Sequence, residues 1–173
     1  MKRRGQVWIE TVIYTLIAFV MIALILAFAR PKIQELQDNA ILQQSTQMLK
    51  EVDSIILNMG AAGNQRIVEI NVKAGDLKLD CINDKIIFEL KSPSVYSEPG
   101  KNISDGSVII LTQKQSGNNL VTLTRDYSSG YDLKFEGRDE VKQLSISSSA
   151  YKLAILNEGK DANDKTILNM SLA

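Results

Sequence analysis

TVIYTLIAFVMIALILAFA, residues 11–29, runs for nineteen positions without a charge. That is close to the roughly 20 residues an α-helix needs to cross a hydrocarbon core, and helices of soluble domains seldom run so far without a polar face. Lys2, Arg3 and Arg4 precede it, and Arg30 and Lys32 follow. The short, purely cationic leading segment favours an amino end in the cytoplasm and the bulk of the chain outside. Residues 7–29 are therefore expected to span the cytoplasmic membrane. Glu10 stands at the front of the segment, within QVWIETVIY. A carboxylate costs about 2.5–3.5 kcal/mol at mid-bilayer and less near the interface. Glu10 either snorkels to the interface or has a cationic partner in the working state.

Working outward, the helix pattern carries on past Pro31. Ile33, Leu36, Ala40, Met48, Val52, Ile55 and Met59 recur at three- and four-residue spacing among polar residues such as Gln34, Asp38, Gln44 and Glu51. No glycine interrupts residues 6–59, and Gly60 with Gly63 provides a stop. The expected element is one long helix over residues 6–59, membrane-spanning at 7–29 and an amphipathic stalk at 32–59. Pro31 removes a backbone donor, so a bend is expected there.

Residues 65–173 change period from 3.6 to 2. Alternation marks strands at 66–73, 77–81, 85–90, 108–113, 120–125, 131–135, 141–147, 151–156 and 166–172, separated by turns such as Asn83-Asp84, Ser128-Ser129-Gly130 and Asn157-Glu158-Gly159. The expected fold class is α+β: a long N-terminal hydrophobic α-helix followed by an antiparallel β-sandwich or small β-barrel. The stretch 92–107, with two of the three prolines, reads as an exposed loop. It carries the sequon Asn102-Ile103-Ser104, whereas the second sequon, Asn169-Met170-Ser171, falls in an expected strand. Asn102 and Asn169 are thus the glycosylation candidates, the loop position being the better placed.

Composition narrows the chemistry. The chain has 173 residues with 20 basic and 20 acidic side chains, so no net charge draws it to nucleic acid. It has no histidine, which removes imidazole bases and the usual histidine-containing zinc sites. The single cysteine, Cys81, falls on the apolar side of its strand and reads as a small buried hydrophobe. Glu158, Asp161, Asn163 and Asp164 lack the order of a calcium loop. No cofactor or metal motif stands out, and nothing assembles a nucleophile, base and oxyanion donor, so an enzyme is not expected.

The leading residues are similar to a known family. Lys2-Arg3-Arg4-Gly5, then Gln6-Val7-Trp8-Ile9-Glu10, then a long apolar helix, resembles the precursors of type IV pilins. Gln6 and Glu10 match the archaeal class III signal peptide pattern Q-x-S-x-E-x-x-x-L, with Trp8 and Tyr14 at its Ser and Leu positions. The resemblance implies a leader of residues 1–5, removed between Gly5 and Gln6 by a membrane-embedded prepilin peptidase that recognises Lys2, Arg3, Arg4, Gly5 and Gln6. It implies that Glu10 sets filament registration against the freed Gln6 amine, and that the surface of residues 7–28 bundles with copies of the same chain. A pilus assembly ATPase and its platform protein would be further partners, and the mature protein would stand in an extracellular filament or on the cell surface. Two other readings remain open. One is a non-polymerising, single-pass membrane protein with an exposed β module, such as a minor pilin or a stator-like envelope-binding protein. The other is a secreted soluble module cut after Ala27-Phe28-Ala29, which has the form of an ordinary signal-peptide site.

Overall fold

One helix precedes ten strands in a computed structural model that describes residues 3–172, with side chains from Trp8 onward. The helix, α1, is Arg3–Leu57 and runs unbroken through Pro31. Its end matches the glycine signal: Gly60 and Gly63 take φ of +79° and +89°, a left-handed backbone that only glycine adopts without strain. A Cβ on Gly60 would also meet the Asn64 amide nitrogen at 2.8 Å. The chain divides into two compact units, Met1–Gln37 and Asp38–Ala173. The last third of α1, from Asp38, thus belongs to the same unit as the strands.

The strands are β1 (Gln65–Ile70), β2 (Asp76–Asp80), β3 (Lys85–Ser92), β4 (Asn102–Asp105), β5 (Val108–Lys114), β6 (Asn119–Asp126), β7 (Tyr131–Phe135), β8 (Val141–Leu144), β9 (Tyr151–Lys160) and β10 (Thr166–Leu172). They form two sheets, ordered β1-β9-β10-β7 and β4-β5-β6-β3-β2-β8. The fold is therefore α+β, a long N-terminal helix followed by a two-sheet β domain. All pairings are antiparallel but one: β7 and β10 run parallel, with Leu133 opposite Leu168. Alternation by two along each strand sends one set of side chains inward. Ile86, Phe88 and Leu90 of β3 pair with Arg125, Leu123 and Val121 of β6, while Val68, Leu153, Met170 and Phe135 line the smaller sheet. These inner faces and the helix residues Leu42, Leu49, Val52 and Ile56 make one continuous core.

The helical stripe is rotated slightly from the one the sequence suggests. Leu42, Leu49 and Ile56 are buried to 1% exposure or less, Met48 and Ile55 are only partly buried, and Asp38, which reads as a solvent residue, is buried. The reason is polar. Asp38 Oδ2 accepts the Ser92 hydroxyl of β3 at 2.5 Å, and Asp53 accepts the Arg125 Nε–H of β6 at 2.7 Å. Between them, Lys50 donates to Asp105 of β4 at 2.5 Å. From Asp38 to Asp53 a helix rises about 22 Å. Ser92 pairs with Asn119, and from Asn119 to Arg125 a strand rises about 20 Å. The helix therefore lies along the strands of the larger sheet, tied at both ends of one stripe.

A second joint links the sheets. Asp84, at φ +53° in the β2–β3 turn, accepts the Tyr127 N–H through its carbonyl and the Leu133 N–H through its carboxylate, both at 2.8 Å, and pairs with Lys165 at 3.2 Å. Asn157 of β9 similarly holds the segment after the helix: its side-chain N–H bonds the Gly60 carbonyl at 2.8 Å, and its backbone bonds Gly63 and Asn64. The expectation of a loop over 92–107 is corrected at one place. Asn102–Asp105 forms β4, because Gly106, at φ +62°, turns the chain back onto β5 as a hairpin. The strand expected to run to residue 147 ends at Leu144, since Ser145 instead donates its hydroxyl to Asp76 at 2.7 Å.

Arg125 also lies 4.6 Å over the Tyr127 ring. Arg125→Ala would leave Asp53 buried beside an unpaired site, a loss of about 2 kcal/mol once the partial exposure of Arg125 is allowed for. Guanidinium unfolding of the detergent-solubilised chain, followed by tyrosine near-ultraviolet dichroism, should show that loss, with most of it recovered in the double variant Asp53→Leu/Arg125→Met. Cys81 offers a second check. Burial, reinforced by the nearby Asp139 and Asp80, pushes its thiol up to about 12. Folding favours the neutral thiol, so this contribution is complete below the unfolded value of about 8.5 and disappears as pH climbs toward the folded one. At pH 8 a disulfide reagent should label native Cys81 at least about 100-fold more slowly than Cys81 in denaturant. Equal rates would mean that the thiol is not enclosed.

Candidate functional site

Among the described residues, most of the exposed large apolar side chains lie in the first unit. Between Trp8 and Phe28, fifteen large apolar side chains are exposed, from 45% at Val12 to 85% at Phe28. At 100° per residue these positions go all the way round the helix, so there is no polar side for water and no single stripe for a core. Covering such side chains is worth about 2 kcal/mol each, on the order of 20–30 kcal/mol in sum. It is the one helix among the described residues long and apolar enough to cross a membrane, with a mean hydropathy of 2.8 in its most apolar window. The polar atom at Thr15 is dealt with locally: its hydroxyl donates back to the Thr11 carbonyl and lies 3.3 Å from that of Val12. Such back-bonding lets a hydroxyl sit among apolar groups without needing water. Sequence reading had not singled out Thr15, although a threonine within an uncharged run is the signal for it.

The residues expected to act in processing sit at the start of this helix. Arg3, Arg4, Gly5 and Gln6 form the first turns of α1, and Lys2 lies outside the described residues. Glu10 follows Gln6 by one helical turn and is exposed on the helix surface. Gly5, Gln6 and Glu10 are thus brought together by a single element. Lys32 and Glu35, just beyond the apolar run, form an ion pair at 2.7 Å.

On the β domain the remaining candidates separate. Asn102 begins the edge strand β4 and is exposed, whereas Asn169 lies within β10 and is half-buried. Asp161 caps its own turn, its carboxylate accepting the N–H groups of Asn163 and Lys165 at 2.8 Å, and Asp164 pairs with Lys160. Among the described residues no three of Cys, Asp and Glu converge as metal ligands. Among the described residues, open clefts include one of about 280 Å³ between Gln44, Met48 and Glu51 of α1 and Glu69, Asn71 and Lys73, and one of about 510 Å³ bordered by Asp38, Asp76, Leu90 and Ile146. Both are open to solvent, and in the second the charges are partly engaged: Asp76 accepts the Ser145 hydroxyl, which holds its carboxyl below the usual range, and Glu89 pairs with Lys78 at 2.8 Å.

Comparison with protein-family models, with curated proteins and with solved structures gives no match to this chain.

Because the core of the second unit is closed without residues 8–28, a fragment of residues 30–173 should be a soluble monomer with the tyrosine dichroism of the full chain. The full chain should need detergent or lipid to stay dispersed. A full chain that is monomeric in plain buffer would show that the apolar surface is covered by something the fold already contains.

Proposed function

We propose that the chain is a structural subunit of a type IV pilus-like surface filament. The observation that carries this reading is the pairing of two features: a basic segment, Gly5, Gln6 and Glu10 in that order, and a helix whose exposed apolar side chains encircle it. In the membrane, lipid covers that surface. In a filament, helices of other copies cover it, with the β domains carried on the outside. A plain anchor would need the apolar length but would have no use for Glu10, whose carboxylate is costly in lipid and is offset by a close cation at low dielectric. After cleavage between Gly5 and Gln6, the new amine of Gln6, on the same or a neighbouring copy, supplies that cation. Removal of residues 1–5 leaves 17 basic against 20 acidic side chains, a net of −3, so the mature exterior is mildly acidic.

The working partners on this reading are the peptidase, the assembly ATPase with its platform protein, and further copies of the chain. Mass spectrometry of the protein from its native cell should find Gln6 at the amino end, and Gly5→Val should abolish that processing. An amino end at Met1 would favour the non-polymerising anchor, and one at Arg30 the secreted module. Normal maturation of the Gly5→Val variant would count against the leader assignment.

A further inference from the structure

We infer that Asn102 is a site of N-glycosylation and that Asn169, which carries the same three-residue code, is not. This rests on the reading that the β domain lies outside the membrane, and it goes beyond that reading by giving the structural ground that separates the two sequons.

Their settings differ in every respect that a glycosyl-transferring enzyme would meet. β4 is the edge of the six-stranded sheet, hydrogen-bonded on one side only, and all four of its residues are exposed. Asn102 stands opposite Leu111, and Ser104 opposite Ile109. Asp105, in the alternate phase, reaches Lys50 on the helix side of the sheet, so Asn102 and Ser104 share the outer face. Among the described residues the Asn102 side chain makes no hydrogen bond, and both ends of the strand are bounded by glycines in the left-handed region, Gly100 at φ +78° and Gly106 at φ +62°. The strand is short and extended at the sheet edge, with its Asn102 amide free.

Asn169 lies in β10, which is hydrogen-bonded to β9 on one side and β7 on the other. Its amide is used at both ends: the N–H group donates to Glu158 at 2.7 Å, and the oxygen accepts the Gly137 N–H at 2.9 Å. Leu168 and Met170 beside it are fully buried. Presenting this sequon would require opening the middle of the smaller sheet.

The reaction needs a sugar donor at the outer membrane face, of the polyprenyl-phosphate-linked class. The Asn102 amide nitrogen forms a bond to C1 of the sugar, the C1–O bond to the lipid phosphate breaks, the phosphate leaves with the electron pair, and the amide proton passes to solvent. The product would cover the free edge of β4, where an unpaired strand edge otherwise invites a second strand. It would also shield Ile109, which is 38% exposed on the same face.

Trypsin places the two sequons in separate peptides, residues 102–114 and 166–173. Peptide mass spectrometry of the chain purified from its native cell should find a glycan-sized mass increment on the first and none on the second. Asn102→Gln and Ser104→Ala should each remove it, and Ser104→Thr should keep it. A bare 102–114 peptide, an increment on 166–173, or an increment that survives Ser104→Ala would overturn the inference. The amino end read in the same sample keeps the two proposals apart. A chain beginning at Gln6 with bare Asn102 overturns only the glycan, and a glycosylated chain beginning at Met1 overturns only the pilin reading.

Discussion

Fifteen large apolar side chains distributed around one helix have to be kept from water, and the fold of the chain does not do it. An energy on the order of 20–30 kcal/mol exceeds the whole stability of an ordinary domain. No rearrangement of the β domain could supply that cover without giving up its own core. The covering medium must come from outside the molecule. Lipid and the same helix on other copies are chemically equivalent for this purpose, since both present hydrocarbon on all sides. On the proposed function, this equivalence is what would let a subunit be stored in a bilayer and then used in a bundle. On that same proposal, the group that tells the two media apart is Glu10, for which lipid offers no partner and the Gln6 amine of a processed copy would be one.

The β domain solves its own problem separately. Its core is continuous from the helix stripe at Leu42, Leu49, Val52 and Ile56 through both sheets and draws no side chain from the apolar segment. Three polar ties, Asp38 to Ser92, Lys50 to Asp105 and Asp53 to Arg125, fix how the helix lies on the larger sheet. Hydrophobic burial alone would allow the helix to slide or rotate by a residue, because apolar contacts are not directional. The two buried carboxylates, Asp38 and Asp53, do not permit this, since a shift would strand them unpaired. Asp84 and Asn157 perform the same service between the sheets and at the end of the helix.

Much of this was legible in the residues. The uncharged run, the amphipathic continuation and the Gly60 stop located α1 to within three residues at its start and two at its end, and two-residue alternation located β7 and β10 at their observed bounds. What was not legible depended on partners distant in sequence. Asp38 and Asp53 look like solvent residues until Ser92 and Arg125, 54 and 72 positions away, are placed against them. That requirement rotates the helix stripe toward Leu42 and Leu49. β4 hid in a proline-rich stretch because four exposed residues show no alternation of burial; only its pairing with β5 makes it a strand. The parallel pairing of β7 with β10 is a matter of chain path, on which local pattern is silent. The candidate site divides in the same way. Gly5, Gln6 and Glu10 lie within six residues and could be read directly, whereas the difference between Asn102 and Asn169, suggested in the sequence only as loop against strand, takes its physical form once one is on a sheet edge and the other at a sheet centre.

The central claim is that copies of this helix replace lipid around one another. Electron cryomicroscopy with helical reconstruction of material sheared from the native cell surface tests it most directly. The account requires a filament in whose axial density residues 7–28 of successive copies pack side by side, with the Glu10 carboxylate within ion-pair distance of a Gln6 amine. Finding this chain only as separate molecules in the bilayer fraction, with none in any surface polymer, would contradict it.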